Sequence, residues 1–281
     1  MYFRARTVSE ALEVLAEGER KILSGGTDFY PALVDRPMPS KVLDVSAIPE
    51  IAGIEVTPSE IRIGAGTRWS AIARAALPSC FRALQEAASE VGSIQIQNAG
   101  TIGGNLCNAS PAADGVPPLL ILDAEVEIAA AGTKRREPLS SFIQGNRRTS
   151  LSPGELLTAI IVPRTIERAP SKFLKLGARR YLVISIVMAA ACIAVGENGK
   201  VADARVAVGA CSAIACRLLA LERALIGADA RPGLGALVRP DHLTDLSPIN
   251  DVRGTADYRF EAALQLIRNT IEACVCRNAD G

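Results

Sequence analysis

The sequence predicts an α+β protein of two domains. Three observations carry that expectation. A length of 281 residues exceeds what one minimal domain needs. Short strand-like runs alternate with amphipathic helical segments along the whole chain. The segment Pro163 to Pro170 has mixed charges and a proline at each end, as a junction between domains has. The boundary is placed at 165, with domains 1–165 and 166–281.

The elements follow in order. The opening segment reads as a helix capped by Ser9, with Ala11, Leu12, Val14 and Leu15 on its apolar face. Lys21 to Leu23 is a short strand that runs into Ser24-Gly25-Gly26-Thr27-Asp28. Lys41 to Val45 and the alternating Glu60 to Gly64 are further strands. Trp69 to Leu77 and Phe81 to Val91 read as helices. Gln95 to Pro118 is rich in Gly, Asn, Ser and Pro without being charged or repetitive. It reads as a long ordered loop, and such loops usually serve function. Strands are expected at Ala124 to Ala129, Leu156 to Val162 and Val201 to Ala210. Ser185 to Gly196 suits a buried strand or a buried helix. Ala213 to Ile226 and Ala256 to Ile271 read as helices.

Composition excludes several functions. Hydrophobic residues make up 49% of the chain, enough for sizeable cores, and 31 basic residues face 30 acidic ones. That balance gives no electrostatic case for nucleic acid, and 4% aromatic content leaves no platform for stacked bases. The longest apolar run, Leu182 to Val195, is too short to span a membrane. The start, MYFRARTVSEAL, lacks the apolar stretch of a secretion signal. Seven scattered cysteines, an odd number, do not form a disulfide framework. A cytoplasmic protein is expected.

Two glycine loops carry the chemistry. In Ile22 to Phe29 a strand ends in Gly25 and Gly26, which can take positive φ and expose backbone N–H groups around an anion. Thr27 adds a hydroxyl, and Asp28 holds the turn or accepts from a ligand hydroxyl. The same residues also suit an ordinary tight turn. The second loop, Ala99-Gly100-Thr101-Ile102-Gly103-Gly104-Asn105, repeats the chemistry between Asn98 and Asn105. Neither loop fits the P-loop or the Rossmann fingerprint. A dinucleotide held by backbone amides rather than by arginines is the ligand they suit.

ILSGGTDF in the first loop and IQNAGTIGGNLCNASPAADGVPPLLILDA around the second resemble the flavoprotein subunits of the xanthine dehydrogenase and carbon monoxide dehydrogenase family. FLKLGAR at Phe173 to Arg179 and NDVRGTADYR at Asn250 to Arg259 continue the resemblance, in the same order along nearly the whole chain. It implies the two-lobed FAD-binding fold of vanillyl-alcohol oxidase, with lobes of about 1–50 and 51–165, followed by a small α+β domain. It implies non-covalent FAD, with Ile22, Leu23, Ser24, Gly25, Gly26, Thr27, Asp28 and Phe29, and Thr101, Ile102, Gly103, Gly104 and Asn105, around its pyrophosphate. Asp114 matches a position that binds the nucleotide end of FAD; a cap on the Ser110-Pro111 turn is the plainer reading. Leu157 matches an apolar neighbour of the flavin, or is core packing. Lys175 matches a lysine near the isoalloxazine, where a cation stabilises anionic reduced flavin; otherwise it is a solvated strand lysine. Ser24 replaces a frequent alanine and Phe29 a usual leucine or isoleucine, both tolerable in a loop that binds through its backbone.

Other chemistry is poorly provided for. The close pairs Cys211/Cys216 and Cys274/Cys276 lack the spacing of a cluster site. Cys107, directly after the second loop, reads as a packing residue, with a place near the flavin as the alternative. A lone His242 in a polar loop makes neither a catalytic triad nor a covalent FAD anchor, and no paired carboxylates stand out. The resemblance therefore implies an electron-transfer subunit with no catalytic or metal-binding residues of its own. Its partners would be a small subunit with [2Fe–2S] clusters and a large molybdopterin subunit, together a molybdenum hydroxylase. The competing class is a stand-alone FAD oxidase or dehydrogenase of the vanillyl-alcohol oxidase type, which needs an acid or base beside the flavin.

Overall fold

The computed structural model describes residues 1–34, 36–179 and 183–276. The chain is α+β and divides into two compact units, neither of them continuous in sequence. One comprises 1–72, 94–109 and 123–164; the other comprises 73–93, 110–122 and the described residues from 165 onward.

In the first unit, β1 (Tyr2–Arg4), β2 (Lys21–Leu23) and β3 (Val42–Asp44) form a parallel sheet in the order β1-β3-β2. The helix Val8–Ala16 packs on it, and Ala11, Val14 and Leu15 meet Ala5, Leu43, Val45, Ile48 and Ile51 in a small core. Thr7, not Ser9, caps this helix, accepting from the Glu10 amide at 3.1 Å. Ser9 already lies inside the first turn and bonds forward to Glu13 at 3.0 Å.

A larger antiparallel sheet holds β4 (Ile54–Val56), β5 (Glu60–Gly64), β6 (Glu125–Ala130) and β7 (Thr133–Pro138). A two-stranded hairpin of β8 (Ile143–Gly145) and β9 (Arg148–Thr149) follows, and then β10 (Leu156–Pro163). The sheet order is β4-β5-β10-β6-β7, so β10 is central, and its run Leu-Leu-Thr-Ala-Ile-Ile-Val is buried throughout. The period-2 reading of β5 holds: Ile61 and Ile63 are fully buried. The register of β10 against β6 shifts between Leu157 and Ala159, a bulge at Thr158. The Thr158 hydroxyl donates to Glu127 Oε1 at 2.8 Å, and its carbonyl accepts from the Ala65 amide at 2.9 Å.

The stretch 95–118 is not a continuous loop. It contains most of the helix Ile94–Ala99, all of Ile102–Asn108 and the start of Val116–Ile121. Composition misleads here for three local reasons. Thr101 caps the second helix. Gly103 and Gly104 stand inside the helix as glycines because a Cβ there would meet Ala65 and the Thr101 hydroxyl. Pro117 and Pro118 fall in a first turn, where a missing amide costs little.

The second unit centres on the antiparallel sheet β11-β12-β13-β14, made of Ser171–Leu176, Val187–Val195, Val201–Gly209 and Cys216–Arg217. The apolar run from Ser185 is therefore a strand. Ala189, Ala191 and Ile193 face the helix Ala256–Cys276 through Ala263, Ile267, Ile271 and Cys274. Met188 is on the other face, against Pro117 and Gly209. Of the predicted helix 213–226 only Leu219–Leu225 forms. Cys216 and Arg217 join the sheet instead, and Arg217 clasps buried Glu222 through two hydrogen bonds of 2.7 and 2.8 Å.

The segment Asn250 to Arg259 ties this unit together. Arg259 is 3% exposed. It donates to the carbonyls of Ile186 at 2.6 Å and Ala210 at 3.1 Å, and to Asp251 at 2.7 Å. Asn250 accepts from the Ala256 amide at 2.6 Å, starting the long helix. The buried His242 accepts from the Arg239 amide through Nδ1 at 3.2 Å, a structural role. Among the described residues, no helix is long and apolar enough to cross a membrane.

Candidate functional site

In the first unit the two glycine loops meet. β2 ends at Leu23, and the chain turns through Ser24, Gly25 and Gly26. Gly25 is required by space: a Cβ there would lie 2.8 Å from Ala99 C and Gly100 Cα, so the first loop rests on the peptide plane of the second. Gly26 is required by conformation as well, with φ at +76° and the Tyr30 ring close by. The amides of Gly25, Gly26 and Thr27 donate to no protein group among the described residues, while the Tyr30 amide returns to the Gly26 carbonyl at 3.1 Å. Phe29 stacks edge-on against Tyr30 at 5.3 Å. Leu23 is buried, and Ile22 and Asp28 are exposed.

The second loop spends its amides inside the protein. Ile102 N–H donates to Thr67 O at 3.0 Å, Gly103 N–H to Ala65 O at 2.8 Å and Asn105 N–H to Thr101 O at 3.1 Å. Gly104 N–H donates to the Thr101 hydroxyl at 3.1 Å. Gly103 is packed so closely that a Cβ would fall 2.6 Å from Ala65. What this loop leaves for a ligand is side chains. The Thr101 hydroxyl pairs with Ser24 Oγ at 3.1 Å, which links the loops directly. The side-chain oxygen of Asn105 is buried without a hydrogen-bond partner, a cost that a ligand donor would relieve. Ser24, where the resembled family often has alanine, thus adds a tie between the loops.

These residues fit the pyrophosphate region of a dinucleotide. Gly25, Gly26 and Thr27 offer three successive free amides, the kind of group that binds an anion, the glycines leave space that a Cβ would fill, and the Asn105 side-chain oxygen has no partner. Bound FAD would be held there by Ser24 to Thr27, Thr101 and Asn105. Leu157, on β10 beside the bulge, is buried and pairs in register with Ile128. Cys107 is exposed, not packed, because Ile102 and Leu106 take the inward face of its helix.

In the second unit, Asp114 and Lys175 form one ion pair, Nζ to Oδ2 at 2.8 Å. Their side chains are only 10% and 4% exposed, so Lys175 is not a solvated strand lysine. Nor does Asp114 cap the Ser110-Pro111 turn, where Ser110 itself accepts from the Ala112 amide at 3.2 Å. Its other oxygen accepts from Ser185 at 2.6 Å. Lys175 also donates to the Glu90 carbonyl at 3.1 Å. Burial pushes the Asp114 carboxyl above the usual carboxylate range, opposed by Lys175 and Ser185. Sequence reading missed Ser185 and Glu90. The signal for Ser185 was a lone hydroxyl opening an otherwise apolar strand; nothing marked Glu90.

Comparison with known proteins gives one consistent picture. Residues 1–165 match the family model described as the FAD binding domain in molybdopterin dehydrogenase. Residues 172–274 match the CO dehydrogenase flavoprotein C-terminal domain. The nicotinate dehydrogenase FAD-subunit of Eubacterium barkeri is 34% identical over 235 residues, covering 81% of this chain and 79% of that one. The 6-hydroxypseudooxynicotine dehydrogenase complex subunit alpha of Paenarthrobacter nicotinovorans is 31% identical, over 98% and 94% of the two chains. Among solved structures, a chain of carbon monoxide dehydrogenase from Hydrogenophaga pseudoflava, in a form lacking the Mo-pyranopterin moiety, superimposes with a TM-score of 0.88. That chain is 26% identical, and 98% of this chain and 97% of that one are covered.

Proposed function

The chain belongs to the family of FAD-binding subunits of molybdopterin dehydrogenases, and we propose that it is the electron relay of such an enzyme. Bound FAD would take electrons from [2Fe–2S] clusters on a small partner subunit and pass them to an external acceptor, while a large molybdopterin subunit oxidises the organic substrate. The observation that carries this reading is the interlocked loop pair. Gly25 against Ala99 and Gly100, with three free amides and an unpartnered Asn105, makes a holder for FAD. All seven cysteines are free, which suits work in the cytoplasm.

Non-covalent FAD at one per chain is expected, released into the supernatant by acid precipitation. The tagged chain, expressed with its native neighbours, is expected to co-purify with an iron–sulfur subunit and a molybdopterin subunit. A chain that carries no flavin and no such partners would refute the reading.

At 2.8 Å from each other, Asp114 and Lys175 serve one end of a bound FAD and not both. Lys175 keeps its place beside the isoalloxazine and Asp114 gives up the one at the nucleotide end, so that the two tune the flavin as a pair. A cation near a group that gains negative charge favours reduction, and a carboxylate opposes it. Asp114→Asn leaves the lysine charge less compensated and is expected to raise the flavin midpoint. Lys175→Met is expected to lower it. Its effect grows at high pH, because at low pH the bereft carboxyl takes up a proton and restores neutrality. Each shift is on the order of 1 kcal/mol, readable by redox titration. Shifts of the same sign in both variants would remove the pair from flavin tuning.

A further inference from the structure

The buried cluster around Lys175 contains more acid than base. Asp114 is its direct partner, at 2.8 Å, and is held as an acceptor by Ser185 as well. Glu90, at the C-terminal end of the helix Arg82–Glu90, supplies its backbone carbonyl to the same ammonium at 3.1 Å. Its half-buried carboxyl interacts electrostatically with Lys175 and with Asp114, and no hydrogen bond fixes it among the described residues. The other charges facing the cluster are spoken for. Lys172 and Arg82 both bind Glu86, at 3.0 and 3.4 Å. Farther along the sheet Arg205 is bound to Asp203 and Arg217 to Glu222. Lys175 therefore lies between two carboxyls, and Lys172, already bound to Glu86, acts on Glu90 more weakly.

We propose that Glu90 is a redox-linked proton acceptor: it takes a proton from solvent when the bound flavin gains negative charge, and returns it on reoxidation. The proposal rests on the reading that places the flavin ring near Lys175. The step is simple to balance. One proton passes from a hydronium ion or buffer acid in the cleft to a Glu90 carboxylate oxygen: the donor's bond to hydrogen breaks as the carboxyl O–H forms, leaving water or the buffer base, and no electron passes through the cluster. Asp114 remains the ionised partner, because both of its oxygens accept from donors that would otherwise be stranded. Glu90 is the exchangeable member, because it lines a cleft of about 310 Å³ with Ala73, Arg82, Gln85, Glu86 and Ser89. Burial raises its carboxyl above the usual range, opposed by Lys175 and more weakly by Lys172, while Asp114 and Glu86 add to the rise. A carboxyl so placed responds to a nearby negative charge by protonation.

The test is a potentiometric titration of the FAD-loaded chain with dithionite from pH 6 to 9, for wild type, Glu90→Gln and Glu90→Asp. The readout is the number of protons taken up per two electrons. Glutamine keeps the backbone carbonyl that holds Lys175, so the pair itself stays intact. The expected result is a loss of up to one proton per two electrons in Glu90→Gln, restored in Glu90→Asp. A reduced-minus-oxidised infrared difference spectrum is expected to show a protonated carboxyl band in wild type that Glu90→Gln lacks. Equal proton counts with no such band, in chains that hold FAD equally well, would overturn the proposal while leaving FAD binding untouched. Failure of wild type to bind FAD would instead defeat the functional reading beneath it.

Discussion

Gly25→Ala is expected to strip the chain of FAD, although it adds a single methyl group to a half-buried loop. The added Cβ would lie 2.8 Å from Ala99 C and Gly100 Cα, and both are backbone atoms that cannot swing aside. The loops must separate. The bond between Ser24 and Thr101 at 3.1 Å is lost with them, and the amides of Gly25 to Thr27 no longer converge. Flavin content after desalting is expected to fall from one per chain to under a tenth. Substitutions of one methyl at a tight contact typically cost about 1 to 3 kcal/mol, so the unit itself should stay folded, and circular dichroism checks this. Gly132→Ala serves as control, because a Cβ there meets nothing within 4 Å and its positive φ costs stability without touching the loops. Full flavin content in Gly25→Ala would place FAD elsewhere.

Arg259→Met is expected to be the most damaging single change in the second unit. It leaves the carbonyls of Ile186 and Ala210 and the Asp251 carboxylate without their shared donor. Removing one partner from such a buried polar cluster costs about 3 to 5 kcal/mol, and a unit of this size loses roughly 2 to 4 °C of Tm per kcal/mol. A calorimetric shift under 3 °C would show that Arg259 is replaceable. The partner sets an acid dependence. The Arg253 amide first, then the Arg259 guanidinium, hold the Asp251 carboxyl down at about 2. Its folded value thus lies below its unfolded one. The stability it lends is complete above about pH 4 to 5 and is lost as pH falls toward 2. Asp251→Asn should flatten that limb of the stability profile.

The parts of the fold that local patterning controls were legible. The alternating β5, the apolar β10 and the long final helix follow from side-chain periodicity alone. What the sequence concealed depended on contacts distant along the chain. Three helices lie wholly or partly within 95–118, and composition reads them as loop because it cannot show that Gly103 and Gly104 are glycines for want of space beside Ala65 and Thr101. Cys216 and Arg217 leave a helical pattern because buried Glu222 claims the guanidinium. The sequence marked both glycine loops, yet it could not show that Ile102 to Asn105 spend their amides on Thr67, Ala65 and Thr101. Nor could it show that Asp114 and Lys175 are one ion pair, since the residues that join them lie on separate elements.

The electron-relay account is tested most directly by following flavin bleaching under anaerobic conditions. The FAD-loaded chain alone would be mixed with aldehydes, purines and N-heterocycles, and the same compounds then offered to the chain assembled with its iron–sulfur and molybdopterin subunits. The account predicts that the flavin of the isolated chain stays oxidised with every compound. In the assembly it predicts bleaching by the enzyme's own substrate. Rapid bleaching of the isolated chain by a small organic substrate would contradict the relay and make the chain an oxidase in its own right.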